Sequence, residues 1–200
     1  SPDLPPLAER LPENQRAGLA SLIEKSGVPA IVLDRFETWA AAITLTGGMM
    51  KDLGVSADLG VERILSSQFK QAGKPVLGLE TGEQQLGYFD ALPEPAQRTF
   101  LISLVEEQGD MKAEFDKMLT AWSTGDVKAI AISFDDELRL SKELADVLIR
   151  KRNANWSEWL AKRMDRPGTL FVAVGAGHLA GDDSVQKMLE DRGLKVVRVQ

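Results

Sequence analysis

Residues 169–199 leave the fewest folding options of any part of this chain. An apolar run, TLFVAV at 169–174, leads into a glycine-rich turn, GAGHLAG at 175–181. Asp182 or Asp183 is placed to cap a helix running to about Arg192, Gly193 ends it, and LKVVRV follows at 194–199. This order and spacing predict a βαβ unit with parallel strands and a right-handed crossover. A further buried strand is expected at 74–79 (KPVLGL), bounded by Pro75 and closed by Glu80. The expected fold is therefore mixed α/β and helix-rich, with a small, partly parallel sheet flanked by helices. Few such runs precede residue 74, and a stable sheet needs several strands. The expectation is one domain over residues 1–200 whose strand-rich N-terminal part lies upstream of Ser1.

Helical patterns fill most of the rest. Residues 1–12 carry four prolines and read as a loop, and a helix follows over 13–25 with Gly27 as its terminating glycine. Phe36, Trp39, Ala40, Ile43 and Gly47 recur at helical spacing and predict a helix over 36–51 that packs through small residues. Val61, Ile64, Leu65 and Phe69 line one face of a helix expected over 60–72. Thr81-Gly82-Glu83-Gln84 fits a capping box, with Gln84 three residues after the cap. Helical patterns continue to about Ser123, periodicity leaves 127–134 unassigned, and a long helix is expected over 137–164, stopped by Arg166-Pro167-Gly168.

Composition closes several functional classes. The chain has no cysteine, which excludes thiol catalysis, disulfides and Cys-ligated metal, and its one histidine is His178. Twenty-four basic against 30 acidic residues give a net charge of −6, a poor match to the phosphates of nucleic acid. No apolar run is long enough to span a membrane, and residues 1–11 contain no signal-peptide core, so any export signal is expected upstream of Ser1.

Three positions interrupt the patterns in ways that point to chemistry. His178 lies in the glycine-rich turn, beyond the C-terminal end of an expected strand, where open α/β sheets place ligands. It reads either as a site residue or as a loop histidine that caps a carbonyl. Glu80 leaves the end of the 74–79 strand beside a helix N-terminus. Were the two strands parallel neighbours, it would share an edge with His178 and could share a metal or a proton; the other reading is a solvated side chain near a helix dipole. Arg152 interrupts the apolar series Leu144, Leu148, Trp156 and Leu160, so it calls for an anion. That anion is either a structural Asp or Glu or a substrate group, and Asn153 beside it could add a hydrogen bond. Asp58 is read as the cap of the helix starting near Gly60, and Trp156 and Trp159 as core. Gly175, Gly177 and Ala180 match G-x-G-x-x-A, but no acidic residue ends the following strand and Asp182 and Asp183 would repel a pyrophosphate, so no nucleotide is expected.

Taken together, Asp58-Leu-Gly-Val-Glu62, Gly73-Lys-Pro-Val-Leu-Gly-Leu-Glu-Thr81 with Gln84-Gln85-Leu86, Arg152-Asn153 with Trp156, and Val174-Gly-Ala-Gly-His-Leu-Ala-Gly181 resemble the bacterial TraB/GumN family. That family belongs to the Tiki/TraB and ChaN/erythromycin-esterase-like superfamily. The resemblance covers residues 50–200 and implies the fold of that superfamily and a metal-dependent hydrolase, with peptidases among the relatives. It implies His178 and Glu80 as metal-binding residues, Arg152 and Asn153 as polar catalytic residues, and Gly175, Gly177, Asp58 and Gln84 as binding positions. The implied cofactor is a divalent metal (manganese, cobalt or zinc), the partner a peptide or small-molecule substrate, and the location extracytoplasmic. The family carries G-x-x-H twice, and this chain has only the second, at Gly175 to His178. The alternative is a non-catalytic binding or scaffold protein on the same fold, serving polysaccharide export or a small ligand.

Overall fold

The regular structure of the described residues is entirely helical. The computed structural model describes residues 3–56, 58, 60–109, 111–138 and 142–199, and the chain divides into two compact units, Ser1–Gly109 and Asp110–Gln200.

In the first unit a 3₁₀ turn, Leu7–Arg10, precedes α1 (Glu13–Ser26), α2 (Ala30–Leu33), α3 (Thr38–Asp52), α4 (Val61–Gln71), α5 (Gly82–Asp90) and α6 (Glu94–Glu106). Helices α1, α3 and α6 pack on one another. Their spacing explains why: Leu19 and Leu22 of α1, Ala41, Ala42 and Leu45 of α3, and Leu101, Leu104 and Val105 of α6 recur three or four apart and are buried. Each fully buried leucine contributes about 2 kcal/mol by leaving water. As expected, α1 ends at Gly27, whose φ of 69° is the left-handed conformation that a helix-terminating glycine supplies. The small-residue contact of α3 runs through Gly48 rather than Gly47. A β-carbon at Gly48 would stand 2.9 Å from the Ser26 α-carbon, whereas one at Gly47 would meet nothing within 4 Å. Thr81 and Gln84 form the expected capping box at the start of α5. The apolar face of α4 is not core: Val61 and Ile64 are about half exposed and no residue of this helix is buried.

The first unit also holds a buried cation that sequence reasoning did not single out. Arg10 is 2% exposed. Its guanidinium donates to the carbonyls of Pro5 at 2.8 Å, Phe36 at 2.8 Å and Asp34 at 2.9 Å, and to Thr38 Oγ1 at 3.2 Å. Thr38 in turn donates to Glu94 Oε1 at 2.7 Å. The N-terminal turn, the α2–α3 connection and the first turn of α6 are thereby tied through one side chain. Burial pushes the Arg10 guanidinium below its usual range, while the charges of Glu94, Asp34 and Glu37 act in the other direction.

The second unit comprises α7 (Met111–Thr124), α8 (Val127–Leu138), α9 (Lys142–Ala145), a π turn at Asp146–Arg150, α10 (Lys151–Met164), a 3₁₀ turn at Ala176–Leu179 and α11 (Val185–Asp191). Residues 127–134, which periodicity left unassigned, lie in α8. The long helix expected over 137–164 is interrupted: residues 139–141 lie outside the described residues, and the π turn takes up an extra residue before α10. Ala121, Ile130 and Ala180 form a small core that joins α7, α8 and the residue after the 3₁₀ turn. Helix α11 is capped at Ser184 and not at Asp182 or Asp183. Of residues 1–12, read as a loop, residues 1–2 lie outside the described residues and Leu7–Arg10 are the 3₁₀ turn.

The mixed α/β expectation is overturned. Among the described residues there is no strand, and hence no parallel sheet and no βαβ unit. Residues 74–79, 169–174 and 194–199 are the apolar runs that predicted strands. A strand exists only where a second one pairs with its N–H and C=O groups, and no such ladder forms here. Their apolar side chains stay largely in solvent instead: Leu77 is 83% exposed, Phe171 58% and Val199 93%. Replacing Arg10 by Met leaves three backbone carbonyls without their donor. We predict a loss of about 3 kcal/mol in urea unfolding followed by circular dichroism, and a loss below about 1 kcal/mol would contradict the role given to this residue.

Candidate functional site

The residues singled out from sequence fall into two groups. Asp58, Glu80 and Gln84 belong to the first unit, and Arg152, Asn153, Gly175, Gly177 and His178 to the second. Asp58 does not cap α4. Gly60 is the cap residue and no side chain bonds to that helix end. Asp58 is exposed and pairs with Arg63 instead, and Leu59 of the same motif lies outside the described residues. Gln84 spends its side chain on the capping box, accepting from Thr81 N at 2.8 Å. Glu80 is partly buried, and its Oε2 accepts from Gln85 Nε2 at 3.5 Å.

The second unit draws its candidates into one cluster. Helix α10 sets Arg152, Asn153 and Trp156 within five positions, and the 3₁₀ turn Ala176–Leu179 brings His178 against them. That turn is closed by the His178 N–H donating to Gly175 O at 3.0 Å. Gly177 is buried within it. His178 is 9% exposed, and Asn153 has no exposed surface. Nδ1 of His178 lies 2.7 Å from Asn153 Oδ1. The other end of the same amide donates to Asp183 O at 2.7 Å and to His178 O at 3.4 Å. One side chain thus ties α10 to both ends of the segment 178–183.

Trp156, read as core, makes contacts that sequence reasoning did not foresee. It is buried as expected, but its ring rests on the imidazole of His178, with centroids 4.4 Å apart and planes inclined by 51°. The Arg152 guanidinium carbon sits 4.9 Å from the Trp156 ring centroid, a cation–π contact. Arg152 Nη1 also donates to Leu148 O, in the π turn, at 3.3 Å. The indole N–H of Trp156 is buried without a hydrogen-bond partner among the described residues. The available signal was the spacing of four between Arg152 and Trp156, which places them on one face of α10. Trp159, read as core with it, is about half exposed.

The chemistry this cluster offers is an imidazole whose orientation is set by an amide and an indole, with a guanidinium over the same indole. No three His, Cys, Asp or Glu side chains converge on a metal-sized site among the described residues. No helix of the described residues is long and apolar enough to cross a membrane.

Comparison with known proteins places the chain. The profile of the TraB/PrgY/gumN family matches residues 1–198. The chain belongs to that family. Among its relatives, the "Uncharacterized protein YbaP" of Escherichia coli (strain K12) is 28% identical, over 92% of this chain and 67% of that protein. The Shigella flexneri protein of the same name shows the same values. An "Uncharacterized protein" of Treponema pallidum (strain Nichols) is 24% identical, over 94% of this chain and 59% of that protein. The chain therefore spans 59–67% of the length of these relatives. No solved structure matches it.

The π turn leading into the cluster carries one strongly placed carboxylate. Asp146 accepts from Arg150 Nε at 2.6 Å and pairs with Lys151 Nζ at 3.1 Å. Hydrogen bonds from Lys151 and Arg150 hold its carboxyl below the usual carboxylate range. A lowered folded-state pKa means that the stability it contributes is present above the ordinary carboxylate pKa and is lost as pH falls through the folded value. We predict that the melting temperature of wild type falls more steeply than that of Asp146→Asn between about pH 5 and pH 3. Parallel acid limbs would contradict the assignment.

Proposed function

We propose that this chain belongs to a metal-dependent hydrolase of the TraB/PrgY/gumN family, acting outside the cytoplasm on a peptide or a small ester or amide. The observation that carries the reading is the buried His178, presented by a glycine-rich turn and held at Nδ1 by Asn153 at 2.7 Å.

The test of fit with a metal is the chemistry around that ring. Metal-ligating histidines characteristically use one ring nitrogen for the ion and have the other held by a hydrogen-bonding partner. The His178–Asn153 contact supplies that partner. A catalytic zinc takes three protein ligands, so His178 is one ligand of a set. Bound there, a divalent cation supplies Lewis-acid polarisation and a more acidic water.

The chain's own residues contribute the remaining steps. Asn153 orients the imidazole. The Trp156 ring covers one side of it, excluding water and fixing its tilt. Arg152, stacked on the far partner of that ring, adds positive charge that stabilises an oxyanion developing on the substrate carbonyl, the role a preorganised cation fills in acyl transfer. The buried glycine Gly177 and the open position of Gly175, where a β-carbon would approach His178 Cδ2 only to 3.8 Å, leave the backbone of the turn close to the ring.

We expect the purified chain, soaked in zinc or manganese and desalted, to retain metal that His178→Ala loses, as read by elemental analysis. Hydrolysis of a peptide and ester panel should fall at least 100-fold on chelation and in the same variant. Equal metal content and equal hydrolysis in both proteins would contradict the hydrolase reading and favour a non-catalytic binding protein.

A further inference from the structure

We infer that Asn153 is a positioning residue that holds His178 in the tautomer with hydrogen on Nδ1 and the lone pair on Nε2. The consequence for metal binding rests on the function proposed above, but the assignment itself rests on geometry alone.

An asparagine side chain has one accepting end and one donating end. The two backbone oxygens near one end of the Asn153 amide, Asp183 O at 2.7 Å and His178 O at 3.4 Å, can only accept. That end must therefore be the NH₂. Turning the amide over would press its oxygen against the Asp183 carbonyl and leave a buried acceptor without a donor, at a cost of about 1–3 kcal/mol. The oxygen end is thus fixed toward His178 Nδ1, at 2.7 Å. Two acceptors cannot bond, so Nδ1 carries the hydrogen. In a neutral imidazole the lone pair then belongs to Nε2.

The surroundings leave the ring little freedom to escape this arrangement. Asn153 has no exposed surface, so water cannot replace either of its ends. The His178 backbone is pinned by Gly175 O at 3.0 Å, and Trp156 lies on its ring at 4.4 Å. Asn153 therefore does two things at once. It fastens the glycine-rich turn to α10 through its donors, and it selects the tautomer through its acceptor. The second task is separable from the first by experiment, because it concerns a single hydrogen.

His178 is the chain's one histidine, so a ¹⁵N-labelled sample gives a single imidazole spin system. The measurement is a long-range ¹H–¹⁵N correlation on the metal-free 200-residue chain with chelator at about pH 8, above the ordinary imidazole pKa of about 6.5. The expected result is one tautomer, with a protonated Nδ1 and a bare Nε2. A protonated Nε2, or a mixture of tautomers, overturns the inference. Asn153→Ala, if folded by circular dichroism, should show a mixture of tautomers. A folded Asn153→Ala with the wild-type tautomer overturns the inference. Should Asn153→Ala fail to fold, the tautomer of wild type decides. Zinc affinity should drop about 10–100-fold in a folded Asn153→Ala. Zinc binding that ignores His178→Ala, in a protein with the expected tautomer, would sink the metallohydrolase reading and leave the Asn153 assignment standing.

Discussion

The amide of Asn153 is the contact on which the second unit's site depends. Its 2.7 Å bonds to His178 and to the Asp183 carbonyl join α10 to the glycine-rich turn and the residues after it. A 3₁₀ turn of four residues makes few internal hydrogen bonds, and glycines on either side make it cheap to unfold. Anchoring it through a fully buried side chain converts a pliable loop into a fixed presentation of one imidazole. Trp156 and Arg152 lie on the same helix, so the regular spacing of α10 places both of them with Asn153. The π turn before that helix then matters, because it sets which residues α10 turns toward the glycine-rich segment.

The first unit solves a related problem with a different group. There the N-terminal turn and the α2–α3 connection end in carbonyls that no helix satisfies, and Arg10 collects three of them in one planar fork. A guanidinium suits this task because its donors are many and rigidly spaced. Both units thus use a buried polar side chain with several hydrogen bonds to hold irregular backbone against helices. Such networks are costly when incomplete, which gives each of them a clear signature in mutation.

What was legible in the sequence was local. The Thr81–Gln84 capping box and the Gly27 terminus are set by residues within four positions of one another, and both form as read. His178 was singled out in its glycine-rich turn and Asn153 as the neighbour of Arg152 that could add a hydrogen bond, and the structure brings them together. The pairing itself was not legible, because 25 positions separate them and no periodicity links a helix to a turn. The expected sheet failed for the same reason in reverse. The runs at 74–79, 169–174 and 194–199 have strand composition, but pairing is non-local, and the described residues contain no partner for them. Asp58 misled because an acidic residue before a helix is often a cap, and here Arg63 of α4 draws the carboxylate to itself. The burial of Trp156 was legible, but its contact with the imidazole of His178 was not, because that contact too is non-local.

The central claim is that His178 presents Nε2 as a metal-binding nitrogen. Crystals of the chain soaked in zinc and measured at the zinc absorption edge test it directly. The account predicts an anomalous peak at about 2.0–2.1 Å from His178 Nε2, with Nδ1 still on Asn153. A zinc peak on Nδ1, or strong zinc sites elsewhere with none at His178, would contradict it.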